Sequence, residues 1–211
     1  MNYLLTNPQI VWGLFLEHLR MTGLTLVLAL LIAMPLGLLL VRVKNVQGPV
    51  LGVLSVIYTI PSLSLFVLLI PVFGLGLEAA LVALVAYAQV ILVRNIVVGL
   101  DGIDPAIIEA ARGMGMTPWQ RFYRVELPLA LPVILAGIRI ATLSTIAIGT
   151  IASLINAGGL GELLFSGVAQ GNPQKIVAGS LAVSALAAVV NLVIRWLEAR
   201  ASWGIGRDMM R

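Results

Sequence analysis

The sequence predicts an all-α integral membrane protein with about five transmembrane helices. Three observations carry that expectation. Of 211 residues, 60% are hydrophobic and only 10% are charged, whereas soluble domains carry about a quarter charged residues. The apolar residues gather into runs of the length that a bilayer demands. Arginine and lysine then cluster at alternate ends of those runs. A single membrane domain over residues 1–211 is expected, because no polar stretch is long enough for a second fold.

Taken in order, Asn7-Pro8 is a cap followed by a first-turn proline, and Ile10, Val11, Leu14, Phe15 and Leu19 recur on one face. An interfacial helix is therefore expected at 8–20. The first uninterrupted apolar run, 22–41, would rise about 30 Å as a helix and match the hydrocarbon core despite Pro35. A second span is expected at about 51–73 with Pro61 and Pro71 inside it, and a third at about 77–98. The fourth covers about 131–155. The fifth, about 176–194, follows Asn172-Pro173, another cap and first-turn proline. In that last span Ser180, Ser184 and Ala188 fall four apart, a small-residue stripe for close packing within the bundle or across a dimer.

Five spans leave the termini on opposite sides of the membrane. Arg42 and Lys44 follow the first span, Arg94 lies near the end of the third and Arg112, Arg121 and Arg124 follow it, and Arg195, Arg200, Arg207 and Arg211 follow the fifth. The other side keeps little beyond Arg20 and Lys175, so the N-terminus is expected outside and the C-terminus in the cytoplasm. The same distribution explains the net charge of +4 by topology and argues against nucleic acid as a partner. Cysteine is absent, which removes disulfides, thiolate metal sites and cysteine nucleophiles. His18 is the single histidine and has no ligand-like spacing around it, so no metal site is expected and an interfacial place is. The N-terminus lacks the basic segment and short apolar core of a signal peptide.

Between the third and fourth spans lies a polar interval that the topology places in the cytoplasm. Asp104-Pro105 offers a cap and first-turn proline, and the helix formers 106–112 run into Gly113 and Gly115. Thr117-Pro118-Trp119-Gln120 has capping-box spacing and predicts a second short helix to about Glu126, after which Pro128 and Pro132 break it and begin the fourth span. The pair displays Met114, Met116, Trp119, Phe122 and Tyr123 among charges. Two readings are open from composition: a knob that docks into a soluble partner, or anchors lying in the headgroup layer.

Glu109-Ala110-Ala111, a glycine four residues later at 115, then nine residues and Val125-Glu126-Leu127-Pro128, resembles the EAA signature of the permease subunits of bacterial ABC importers. Val125 stands where isoleucine is commoner. The resemblance implies a type I ABC importer permease fold in the bacterial cytoplasmic (inner) membrane, with residues 105–127 as coupling helices seated in a groove of a cytoplasmic ATPase. Glu109, Ala110, Ala111, Gly115, Met116, Trp119, Leu127 and Pro128 are then the ATPase-coupling residues. No GxxxxGK[ST] nucleotide loop is present, so this chain is expected to be non-catalytic, with ATP and magnesium bound by the partner.

Further stretches resemble the permeases for glycine betaine, choline and carnitine: 59–62 with 70–76, then 125–139, and finally 157–161. Asn156 stands where that group commonly has glycine. The implied partners are two ATPase subunits, a second permease copy or paralogue, an extracytoplasmic binding protein and the lipid membrane. Another small zwitterion or cation, such as ergothioneine, an amino acid or a bile-acid-like compound, is the alternative cargo. A membrane enzyme is disfavoured by the lack of clustered carboxylates, histidines or an activated nucleophile, and a passive channel would leave the coupling loop without a role.

For the translocation pathway the candidates are Tyr58, Thr59, Pro61, Ser62, Tyr87, Gln89 and Asn156. Pro61 removes a backbone hydrogen bond and frees a carbonyl in mid-span, either for a polar path or for a kink satisfied by neighbouring helices. Tyr58 and Tyr87 either offer ring faces to a cation or pack a helix. Gly158, Gly159 and Gly161 permit a tight turn ahead of a short helix at 162–168, either an outer gate and docking site or a plain connection. Arg139, two turns into the fourth span, must snorkel or pair, with Glu109 or Asp101 as candidate partners.

Overall fold

The computed structural model describes residues 2–208, and all regular structure among them is helical. The order is α1 (Asn2–Thr6), α2 (Pro8–Arg42), α3 (Lys44–Thr59), α4 (Ser62–Phe73), α5 (Leu77–Asp101), α6 (Pro105–Gly113), α7 (Pro118–Arg121), α8 (Leu127–Ala152), α9 (Gly161–Ala169) and α10 (Pro173–Asp208). A π-helical segment, Phe122–Glu126, joins α7 to α8, and a 3-10 turn, Ser153–Ile155, follows α8. Four helical stretches among the described residues are long and apolar enough to cross a membrane, and α3 and α4, bent by 96° at their junction, pass the same test only when taken together. Arg211, one of the arginines used to orient the chain, lies outside the described residues.

Three boundaries differ from the expectation. The separate interfacial helix at 8–20 and first span at 22–41 are one 35-residue helix, α2. No breaker separates them, and the buried stripe His18, Met21, Thr22, Thr25, Ala29, Ala33 and Gly37 runs through the junction. The second span is not one helix but two, bent by 96°. The cause is Pro61: the residue before it, Ile60, is driven to extended backbone (φ −65°, ψ 129°), as proline demands of its predecessor. Pro128 and Pro132, in contrast, interrupt nothing. Helix continues from Pro118 to Ile155 because the π segment widens the turn, with the Leu127 N–H donating to the Phe122 carbonyl, so Pro128, which has no N–H to give, enters where the ladder is already shifted. The expected start of the fifth span is present: the Asn172 carboxamide oxygen accepts from the backbone N–H groups of Gln174 and Lys175.

The packing centres on α5, which lies between α2 and α8 and is the most buried helix of the set. Small residues make the approach possible. A Cβ at Gly37 would lie 2.6 Å from Ile96, one at Gly137 would lie 2.4 Å from Asn95, and Gly99 faces the Ala130 carbonyl. In a bilayer, where apolar burial alone gives no preference for protein over lipid, such close contacts hold helices together. One core cluster gathers Ala29, Ala33, Leu92, Val93, Ile96 and Ala141. A second surrounds Phe66 and Leu84 beside the bend.

α10 packs against α9 and α8. It does so through Ala178, Gly179 and Leu186, while the Ser180, Ser184 and Ala188 stripe is exposed and is not a contact within this chain. Arg139 pairs with neither Glu109 nor Asp101. Its Nε lies 3.3 Å from a carboxylate oxygen of Glu198 on α10, and Asp101 is engaged instead by Lys44 and, at 2.9 Å, by the Gln47 amide.

Candidate functional site

The polar interval folds as two capped helices turned sharply against each other. The Asp104 carboxylate accepts from the Ala106 N–H and opens α6. At its end the Met116 N–H donates to the Ala111 carbonyl and the Gly115 N–H to that of Arg112, the paired bonds of a Schellman turn. That turn requires a left-handed residue, and Gly115 supplies φ +75°. One residue later Thr117 and Gln120 exchange side-chain bonds with each other's backbone N–H groups, so the capping box forms as the spacing predicts.

Within this unit Ala111 is buried, which anchors α6, while Glu109 and Ala110 are exposed. Met116, Leu127 and Pro128 are half-buried. Met114 and Trp119 are 69% and 68% exposed. Trp119 meets the Tyr123 ring edge-on at 4.5 Å, and Phe122 stands 5.1 Å from Tyr123. The sequence-predicted coupling residues run from α6 through the Gly115 turn and α7 to the first two residues of α8, and the turn has open space around Gly115.

The pathway candidates divide. Tyr58 and Thr59, near the end of α3, line a recess of about 510 Å³ together with Ser55, Val90, Ile91, Arg94, Asn95 and Ile140. Pro61 and Ser62 form the bend beside it. Tyr87 is buried behind Tyr58, the two rings meeting edge-to-face at 5.8 Å, and its hydroxyl donates to the Ile60 carbonyl at 2.5 Å. A carbonyl left over by the proline break thereby finds a partner. Gln89 is buried on the side of α5 facing α2, where its amide donates to the Ala29 carbonyl, so it serves a helix contact rather than the recess. Asn156 lies elsewhere, on the turn ahead of α9, at φ 62° and ψ 29°. Asparagine is the side chain that best tolerates that left-handed geometry, which explains how it stands in place of glycine.

Residues 156–161 are held by α2. The Glu17 carboxylate accepts from the Gly159 N–H at 3.0 Å. His18 is not interfacial but fully buried. Its Nε2–H donates to the Ile146 carbonyl at 3.1 Å, and its ring packs where Gly149 and Gly159 leave room. Gly158 and Gly159 both have positive φ, and Gly161 packs directly on the Thr150 carbonyl. The sequence reading missed Glu17 and His18 as partners of this turn, because a contact across some 140 residues leaves no local pattern. Arg94, read from the sequence only as an arginine that orients the third span, lines the recess.

Helices long and apolar enough to cross a membrane, together with an exposed capped helix pair and a small recess, fit a membrane-embedded component. The comparisons place it: the family model described as "Binding-protein-dependent transport system inner membrane component" matches residues 9–203, and the chain belongs to that family. It is 41% identical to the osmoprotectant import permease protein OsmW of Salmonella typhimurium, over 93% of this chain and 94% of that one. It is 36% identical to the glycine betaine/carnitine/choline transport system permease protein OpuCB of Bacillus subtilis, over 96% and 95%. Among solved structures, an inward-facing form of the MetNI methionine ABC transporter superposes with a TM-score of 0.83 at 24% identity, covering 92% of this chain and 98% of that one. A second inward-facing form gives 0.76 at 26% identity, covering 96% of both. The fold is therefore that of an ABC importer permease, and the chain is an inner-membrane permease subunit.

Proposed function

We infer that this chain is the non-catalytic permease subunit of an ATP-driven importer of quaternary-amine osmoprotectants of the glycine betaine, carnitine and choline class. It pairs with a second permease copy or a paralogue, with two cytoplasmic ATPase subunits, and with an extracytoplasmic binding protein that delivers the cargo. The cargo class follows the names of the similar permeases. The N-terminus faces outward, so that α6, α7 and the π segment lie in the cytoplasm.

The observation that carries the reading is the Gly115 turn with Met114 and Trp119 exposed beside it. Bulky apolar groups on a water-facing element fit a partner's groove. The unit is also mechanically suited to transmit motion, because helix runs unbroken from Pro118 through α8. ATP-driven closure of the ATPase pair tilts this helix, and differential stability of the two arrangements gives alternating access.

The test is Glu109→Lys and Gly115→Trp in the complete transporter reconstituted in proteoliposomes. Both variants are expected in the membrane at normal abundance, with glycine betaine uptake down about tenfold or more and ATP hydrolysis no longer stimulated by the loaded binding protein. Normal stimulated hydrolysis with normal uptake in both would overturn the coupling assignment.

A further inference from the structure

Arg94 stands seven residues before the last residue of α5, about 10 Å inside that end of the helix. Among the described residues the ion pairs are Lys44 with Asp101, Arg121 with Glu126 and Arg139 with Glu198. Arg94 belongs to none of them. Its side chain, on an exposed residue, donates to the Ser55 hydroxyl at 3.3 Å, one bond for a group with five donors. A guanidinium is always charged, and inside a span such a charge is costly unless something balances it.

Another lining residue of the recess has a different character. Tyr58 is 43% exposed, and its ring is set by the edge-to-face contact with Tyr87, which is itself tethered to the Ile60 carbonyl. An exposed ring held in a fixed orientation suits a quaternary ammonium. The recess, at about 510 Å³, has the size of a small-molecule site. A permanent cation and an aromatic face thus line one small space.

We propose that this recess is a substrate waypoint specific for zwitterions, in which Arg94 takes the carboxylate and Tyr58 faces the quaternary ammonium. The inference rests on the proposed import of quaternary amines and narrows it. Glycine betaine and carnitine satisfy both groups. Choline carries no carboxylate, so it leaves Arg94 unbalanced and meets its charge as repulsion. Arg94 is accordingly a specificity-determining residue, and the bidentate geometry of guanidinium with carboxylate favours arginine there.

The experiment is uptake of glycine betaine and of choline by the complete transporter in proteoliposomes with saturating binding protein, comparing the parent chain with Arg94→Gln and Arg94→Lys. Arg94→Gln is expected to reduce glycine betaine uptake about tenfold while choline uptake holds or rises, and Arg94→Lys to recover part of the loss. Equal loss on both substrates, or no loss on either, would overturn the proposal and leave the importer assignment intact. So would a parent transporter that carries only choline. If the parent carries only glycine betaine, partial recovery by lysine supports the proposal and lysine no better than glutamine overturns it. Absence of uptake of both by the parent defeats the importer assignment itself.

Discussion

Two glycine turns, one between α6 and α7 and one ahead of α9, share a need for positive φ but differ in their surroundings. At Gly115 a side chain would meet nothing within 4 Å, and glycine is required only by the positive φ. At the other turn the space is also occupied. A Cβ would lie 2.6 Å from the Glu17 carboxylate at Gly158, 2.9 Å from the His18 ring at Gly159, and 2.0 Å from the Thr150 carbonyl oxygen at Gly161. The first turn is closed by its own backbone bonds and has open space around it. The second is filled by its own chain.

That contrast gives substitutions with different outcomes. The largest stability effect belongs to Gly161→Val, which must push backbone aside and is expected to remove about 3 kcal/mol or more, read as a marked fall in the detergent melting temperature and in inserted yield. A wild-type melting curve for this variant would show that the turn ahead of α9 is not packed as described. Gly115→Ala meets only the left-handed strain, about 1 kcal/mol, and Thr117→Ala loses only a cap, also about 1 kcal/mol. Thermal denaturation should therefore rank both well behind Gly161→Val. If Gly115→Ala is as damaging as Gly161→Val, the space around residue 115 is not open.

The Gly115 turn was legible in the sequence because its determinants are local. Asp104, Thr117 with Gln120, and Gly115 each act within a few residues, and each forms the bond its spacing predicts. The long apolar helices α2, α5, α8 and α10 were legible from apolar length, whereas the expected second span is two helices. What escaped was set by contacts between distant segments or by a competition of backbone effects. Pro61 bends its span by 96° while Pro128 and Pro132 do not break theirs, and the difference lies in the π register ahead of Pro128. His18 read as interfacial because a lone polar residue near a span end gives no hint of the Ile146 carbonyl waiting on α8. Arg139 finds Glu198, a partner from α10 rather than from the cytoplasmic loop. Gln89, a pathway candidate by polarity, is spent on the Ala29 carbonyl.

The central claim is that the turn at Gly115 is the surface that meets the ATPase, and the absence of cysteine from the chain makes it directly testable. Single variants Met114→Cys and Glu162→Cys, each carrying a cysteine-linked photo-crosslinker in the assembled transporter, compare the two ends of the molecule. Met114→Cys is predicted to crosslink to the ATPase subunit, and Glu162→Cys is not. Crosslinking of the ATPase from residue 162 with none from residue 114 would contradict the account.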